Sequence, residues 1–318
     1  MQGSPAGTRP SMKKCSVIII NFNTAELTLQ AVHSVIEFTS NSTFEIIVVD
    51  NASHTNDFLR LKEKIAEWND KRIHLFRSRV NLGFGGGNMQ GVQHAEGQYY
   101  VFLNSDAYLQ EDSISTMTAF LEKNSRVSMV GGRSVDQTGK PYKAFDHRLS
   151  LRKELFGDSI LHLLNPRKYP SRKKQLSEPT RVGAVPGSFF VCRASDFDQV
   201  GGFDTNIFLY YEEKDLAFRI EKELGKEIYS LPQVNYVHLK GKSTSAGHET
   251  RKELKISQFY TIRKNLGAFK YLIFYGVNFL KILCKAPFKR KHRVFLPILG
   301  GAPLSQSLKH HQKITPLL

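Results

Sequence analysis

The first third of the chain carries short runs rich in apolar residues, most of them closed by a cluster of polar ones. "CSVIIINFN" (15–23), "FEIIVVDNAS" (44–53), "RIHLFRS" (72–78) and "QYYVFLNSD" (98–106) follow at regular intervals. A strand that is apolar along its whole length is buried on both faces, so it needs covering layers above and below it. The stretches between the runs provide them. Residues 24–38, "TAELTLQAVHSVIEF", set Leu27, Ala31, Val35 and Phe38 at helical spacing behind a Thr24 cap, and "DFLRLKEKIAEW" (57–68) predicts a second helix. Strand alternating with helix predicts a Rossmann-like α/β architecture with a mostly parallel central sheet flanked by helices. Ligands of such sheets gather at the C-terminal ends of the strands. Those ends are Asn21 to Asn23, Asp50 to Ser53, Asn81 to Asn88 and Asn104 to Asp106.

A chain of 318 residues can bury one large core, or one core and a small appendage, and a single catalytic domain with a tail fits best. The formal net charge of +16 asks for an anionic partner: nucleic acid, a phosphorylated small molecule or an anionic bilayer surface. No nucleic-acid motif accompanies it, so no nucleic-acid partner is expected. The charge gathers at the C-terminus, where no Asp or Glu follows Glu253. Cys15, Cys192 and Cys284 form neither a disulfide framework nor a zinc motif, which fits a reducing, cytoplasmic setting. Residues 1–13 lack an apolar signal region and read as a disordered leader. Residues 145–180 read as a mobile connection or an acceptor-facing insertion. The basic, helical extension 251–318 has two readings. In one, Tyr271, Phe274, Phe279 and Leu280 dip into lipid while lysines meet anionic headgroups; in the other, the helix packs on the domain. Asn278, Lys281 and Lys285 interrupt any membrane span.

Five constellations carry chemistry. Asn104 and Asp106 end an apolar strand two positions apart, facing one side, where a carboxylate can hold Mg²⁺ or Mn²⁺; the triplet also reads as a turn. In "NLGFGGGNMQG" (81–91), a glycine-rich loop leading to a short helix, Asn81, Gly83, Gly86 and Asn88 offer close backbone approach to a ligand, or simply a bend. Asp50, with Asn51 and Ser53, suits a nucleoside contact or an Asx turn. In "IFLYYEEKDLAFRI" (207–220), Glu212, Glu213 and Asp215 suit the first turn of a helix. They equally suit a base whose proton affinity is raised by the aromatic residues beside it. His238 is a metal or phosphate ligand or a structural histidine, and Lys240 and Lys242 beside it can neutralise a diphosphate.

In this order the stretches "SVIIINFN", "IIVVDNAS", "NLGFGGGNMQG", "FLNSD", "VPGSFFVCRASDFDQVGGFDTNIFLYYEEKDLAFRI" and "HLKGKST" resemble the family 2 glycosyltransferases, in particular their rhamnosyltransferase-like branch. The resemblance spans about residues 14–250. It implies a GT-A fold with a nucleotide-sugar-binding half (14–110) and an acceptor-binding half (111–250), and transfer with inversion. Asn23 and Asp50 match positions near the donor's base and ribose. Asn21, Asn51, Asn81, Gly83, Gly86, Asn88, Asn104, Ser105 and Lys242 complete the donor set. Asp106 matches the metal-binding motif, whose first Asp is Asn104 here, and His238 completes the metal site for Mg²⁺ or Mn²⁺. Glu213 matches the usual base, with Glu where Asp is common, and Glu212 and Asp215 remain alternatives. Asp215 also stands one helical turn from Arg219 as a pairing partner.

The implied donor is dTDP-rhamnose, with a UDP-hexose or UDP-N-acetylhexosamine as the alternative. The implied acceptor is a glycan or lipid-linked glycan in surface polysaccharide (O-antigen or capsule) synthesis, at the inner face of the cytoplasmic membrane. From another class, a catalytically silent nucleotide-sugar-binding protein accounts for Asn104 and Glu213 as lost chemistry.

Overall fold

The computed structural model describes residues 14–173, 176–241, 247–288, 293 and 295–316; the 1–13 leader and Lys242 lie outside them. The first half runs β1 (Cys15–Asn21), α1 (Ala25–Phe38), β2 (Phe44–Asn51), α2 (Thr55–Trp68), β3 (Ile73–Ser78), α3 (Gly83–Val92), β4 (Tyr99–Asn104) and β5 (Ala107–Tyr108). There follow α4 (Ser113–Lys123), β6 (Val127–Val135), β7 (Pro141–Lys143), α5 (Leu151–Leu164), β8 (Thr180–Arg181), β9 (Phe189–Arg193) and α6 (Ala194–Gln199). The chain continues with α7 (Glu212–Arg219), β10 (Glu227–His238), α8 (His248–Leu266) and α9 (Ala268–Lys285). Among the described residues these strands form one sheet in the order β3-β2-β1-β4-β9-β6-β10-β5, with β7 on β6 and β8 on β10.

β1 pairs in parallel with β2 and β4, and the register sets Asn21 opposite Asp50 and Ile20 opposite Asn104. The polar strand ends therefore stand level at one edge of the sheet. Side chains alternate between the two faces. Val17, Ile19, Ile46, Val48, Val101 and Leu103 build the core on one side, and Ile18, Ile47, Val49 and Phe102 the core on the other.

Three local expectations are corrected. Thr24 sits at the cap position of α1, but its hydroxyl donates to Asn21 Oδ1 at 3.2 Å, and the Asp57 carboxylate accepts from Ala25 N instead at 3.0 Å. Next, the glycines of 83–87 lie inside α3 rather than in a loop before it. Gly87 and, further along the helix, Gly91 let it lie flush on the sheet: a Cβ on Gly91 would stand 2.6 Å from Ile18 Cγ2, and one on Gly87 3.0 Å from Ile20 Cδ1. Finally, residues 151–164 form a helix, kinked at Gly157 (φ 75°), where a mobile connection was one of two readings.

Helix α8 crosses position 250 without a break. Its Ile256, Phe259 and Ile262 meet Phe274 of α9, Ile298 and Ala302 in a third core. This corrects the lipid-facing set. Phe274 is fully buried, 5.0 Å from the Phe259 ring, and Tyr271 and Phe279 are half-buried, because the Phe274–Asn278–Ile282 stripe turns inward. Only Leu280 of the four is exposed, alongside Phe269, Leu272 and Leu283.

The contact of α3 with the sheet yields a test. Gly91→Ala raises helix propensity by roughly 1 kcal/mol, yet the forced overlap with Ile18 costs about 1–3 kcal/mol. The variant is expected to melt at a lower temperature than the parent; a higher melting temperature would show that the close approach is not limiting.

Candidate active site

At the level edge of the sheet lies a cavity of about 1290 Å³. Pockets for one drug-sized ligand span roughly 300–1,000 Å³, so this one has room for two substrates. Asn51, Asn81, Gly83, Asn88, Asn104, Ser105 and Asp106 line one part of it, and Glu212, Glu213 and His238 another. The structure therefore brings together most of the residues singled out in the sequence. Asn21, Asn23, Asp50, Gly86 and Asp215 do not line it.

The residues behind the wall hold it in shape. Asn21 Nδ2 donates to Asp50 Oδ1 at 2.9 Å, Ser53 Oγ at 3.0 Å and Asp57 Oδ2 at 2.9 Å. Asp50 is fully enclosed, with Arg77 Nε 3.3 Å from its Oδ2, and burial pushes its carboxyl above the usual range. Exposed Asn23 accepts from His54 N at 2.8 Å and so fixes the entry to α2. Asn51 Oδ1 accepts from Leu82 N at 2.9 Å, and its Nδ2 donates to Asn81 Oδ1 and Gly83 O, both at 3.0 Å. The turn into α3 is thereby built from side-chain amides.

Asp106 and His238 meet through the sheet. β10 pairs antiparallel with β5, setting His238 opposite Ala107, and Leu239 N donates to Asp106 O at 2.8 Å. His238 Nε2 then stands 3.3 Å from Asp106 Oδ1, which is 1% exposed. A carboxylate oxygen and an imidazole nitrogen suit Mn²⁺, and the carboxylate suits Mg²⁺. Among the described residues no group of three or more His, Cys, Asp and Glu is gathered as a metal cage. A cation held here would take its further ligands from water or a substrate, as Mg²⁺ does beside phosphates.

The three acids at the start of α7 have separated fates. Tyr210 and Tyr211 precede the helix with φ of 72° and 78°, a left-handed backbone that is costly for non-glycine residues and that clusters at functional sites. Glu213 is partly exposed and faces the cavity beside Gly187, where a Cβ would stand 3.5 Å from the Glu213 carboxyl carbon. Glu212 is 3% exposed, and burial together with the neighbouring Glu213 charge pushes its carboxyl well up. Asp215 is fully buried and engaged by Arg219 Nε at 2.8 Å, Lys264 Nζ at 3.0 Å and Asn265 Nδ2 at 2.9 Å. It ties α7 to α8 and contributes no wall.

Part of the wall comes from residues that no motif singles out. Asp158, Ser159 and His162 of α5 line the cavity, as do Lys214 and, from the C-terminal segment, Leu308 and Gln312. The second reading of 145–180, an insertion facing the site, pointed to the α5 group. Lys214 lies between Glu213 and Asp215, where a lysine among acids carries no distinct signal. It stands 3.9 Å from Asp146, and that carboxylate raises its proton affinity against the opposing effect of burial.

Residues 16–201 match the family described as "Glycosyl transferase family 2". TuaG of Bacillus subtilis (strain 168), a glycosyltransferase named for teichuronic acid biosynthesis, is 32% identical over 135 residues, 42% of this chain and 52% of its own length. The rhamnosyltransferase WbbL of Escherichia coli (strain K12) is 29% identical over 167 residues, 49% of this chain and 60% of its own. The chain thus spans between half and two thirds of these relatives. A mannosyltransferase from Pyrobaculum calidifontis, solved with GDP-Man and Mn²⁺, superposes with a TM-score of 0.56 at 13% identity, over 95% of this chain and 88% of that one. That likeness speaks to the fold.

Glu212 supplies a pH test. Its folded-state proton affinity lies above that of the unfolded chain, so the folded state binds more protons and stability falls as pH rises past the unfolded value of 4.5. Glu212→Gln removes that loss. The variant is expected to melt above the parent at about pH 8, with the gap closing as the pH is lowered toward the unfolded value. A gap that does not depend on pH would show that Glu212 is ionised in the folded protein.

Proposed function

We propose, for a chain that belongs to glycosyl transferase family 2 and has its GT-A fold, that it moves a sugar from a nucleotide diphosphate sugar to a hydroxyl of a glycan with inversion. The observation that carries this reading is that Glu213 faces the same cavity as the Asp106–His238 pair, at the level ends of a parallel sheet. The acceptor oxygen attacks the anomeric carbon, and its proton passes to the Glu213 carboxylate as the new C–O bond forms. The bond from that carbon to the diphosphate oxygen breaks on the opposite face, and the diphosphate leaves with the electron pair. One displacement inverts the centre, and no enzyme nucleophile takes part. A divalent cation, Mg²⁺ or Mn²⁺, bound by Asp106 and His238 would neutralise the departing diphosphate.

Asn51, Asn81, Gly83, Asn88, Asn104 and Ser105 are the proposed donor contacts, with Asn21 and Asp50 shaping the wall behind them. Glu213 is the proposed base among the three acids, because Glu212 is enclosed and Asp215 is occupied by Arg219, Lys264 and Asn265. The likeness to a rhamnosyltransferase supports rhamnose as the sugar moved; dTDP-rhamnose is the proposed donor, in surface polysaccharide synthesis. The acceptor is then a glycan or lipid-linked glycan, presented at an anionic membrane surface.

Turnover of dTDP-rhamnose, UDP-hexoses and UDP-N-acetylhexosamines with Mg²⁺ or Mn²⁺ tests the reaction. Glu213→Gln is expected to retain donor binding and lose about 10²–10⁴-fold in kcat. Full turnover in this variant would remove Glu213 from the base role, and binding without turnover in the parent protein would point to a silent binding protein. Asp106→Asn is expected to abolish the dependence of donor binding on the cation. Unchanged titration of Mn²⁺ by this variant would place the metal elsewhere.

A further inference from the structure

Most of the exposed large apolar side chains among the described residues lie on two helices that touch. On α5 Leu163 is 83% exposed and Leu164 73%, with Phe156 and Ile160 beside them; on α9 Phe269 is 76%, Leu272 62% and Leu280 60% exposed. Apolar patches of this kind mark interaction surfaces. The helices are locked to one another: Leu151 and Leu155 pack against the core that holds Phe274, and Lys281 Nζ donates to Leu155 O at 3.1 Å.

The charges on the two helices are segregated. The acids of α5 are used inward, Glu154 by Lys153, Tyr211 and Gln258, and Asp158 by Arg172. No acid follows Glu253. Arg152 of α5, Arg167 and Lys168 just after its end, and Lys270, Lys281 and Lys285 of α9 are exposed on the same stretches of chain as the apolar side chains. Apolar groups among unpaired-sign cations are what an anionic bilayer surface binds, by shallow insertion plus headgroup attraction. Among the described residues no helix is long and apolar enough to cross a membrane.

We propose that α5 and α9 form a two-helix foot that seats this protein on an anionic lipid surface. Because Asp158, Ser159 and His162 on α5 also line the cavity, the helix that meets lipid is a wall of the site. A lipid-linked acceptor would thus arrive where its sugar is needed. This last step rests on the acceptor reading above; the binding of lipid does not.

The test uses the full chain and vesicles of phosphatidylcholine with or without phosphatidylglycerol. The parent is expected to sediment with the mixed vesicles and to be released by salt. Leu163→Glu with Leu164→Glu, and separately Leu272→Glu with Leu280→Glu, are expected to weaken vesicle binding about ten-fold or more. Turnover on a soluble acceptor and the circular dichroism spectrum should be unchanged. Lys270→Glu with Lys285→Glu, which leaves the apolar groups in place, should weaken binding to mixed vesicles selectively. Parent-like vesicle binding by all three variants would overturn the proposal. So would a parent that ignores vesicles and sediments as a dimer split by the leucine substitutions, which would assign the face to a second copy. Loss of turnover with intact vesicle binding would count against the proposed reaction and leave the foot standing.

Discussion

The parallel pairing of β1 with β2 and β4 is the constraint on which the cavity depends. A slip of one residue would turn every side chain to the other face, and both faces are packed, so the register is held by the two cores rather than by the backbone bonds alone. With the register held, Asn21 stands level with Asp50 and Asn104 with the preceding Ile20, and the buried amide of Asn21 can join Asp50, Ser53 and Asp57 across two strands and a helix. Polar groups so enclosed are tolerated because each finds a partner. That network closes the back of the site and leaves Asn51, Asn104 and Asp106 to face its interior.

The second half is attached to this edge at points where ordinary side chains would not fit. Gly83 has φ +73°, and a Cβ there would lie 2.1 Å from Phe208 O. Phe84 N donates to that same oxygen at 2.9 Å. The segment carrying the acids is therefore seated directly on the start of α3. From the other side Asp215 anchors α7 to Lys264 and Asn265 of α8. Glu213, between these two attachments, is set by residues far before and well after it in the chain.

What was legible in the sequence follows from burial. β1, β2 and β4 are enclosed on both faces, so their apolar runs announce them, and their polar ends announce the site. The α5 region was harder because its apolar residues serve two surroundings. Leu151, Leu155 and Leu161 turn inward, whereas Phe156, Ile160, Leu163 and Leu164 turn outward, and Gly157 shifts the phase between them. No single helical stripe survives that division. The three acids of α7 look alike in sequence because their partners are remote: Lys264 and Asn265 claim Asp215 from about fifty residues away. The capping of α1 by Asp57 escaped for the same reason, since a helix cap is ordinarily sought next to the helix.

The strand order also governs how the chain reaches this state. β1, β2 and β3 can assemble from neighbours in sequence, each helix returning the chain to the next strand, whereas β4 crosses back past them to pair with β1. β9 arrives later still and lies between β4 and β6, pairing Phe102 with Phe190 and Val130 with Val191. Its insertion closes a long loop before any contact rewards it, and such non-local pairing slows folding. The nascent half-sheet thus waits with the edge of β4 unpaired. An open edge of this kind recruits other strands, which makes the interval before β9 arrives the period of greatest exposure to misassembly.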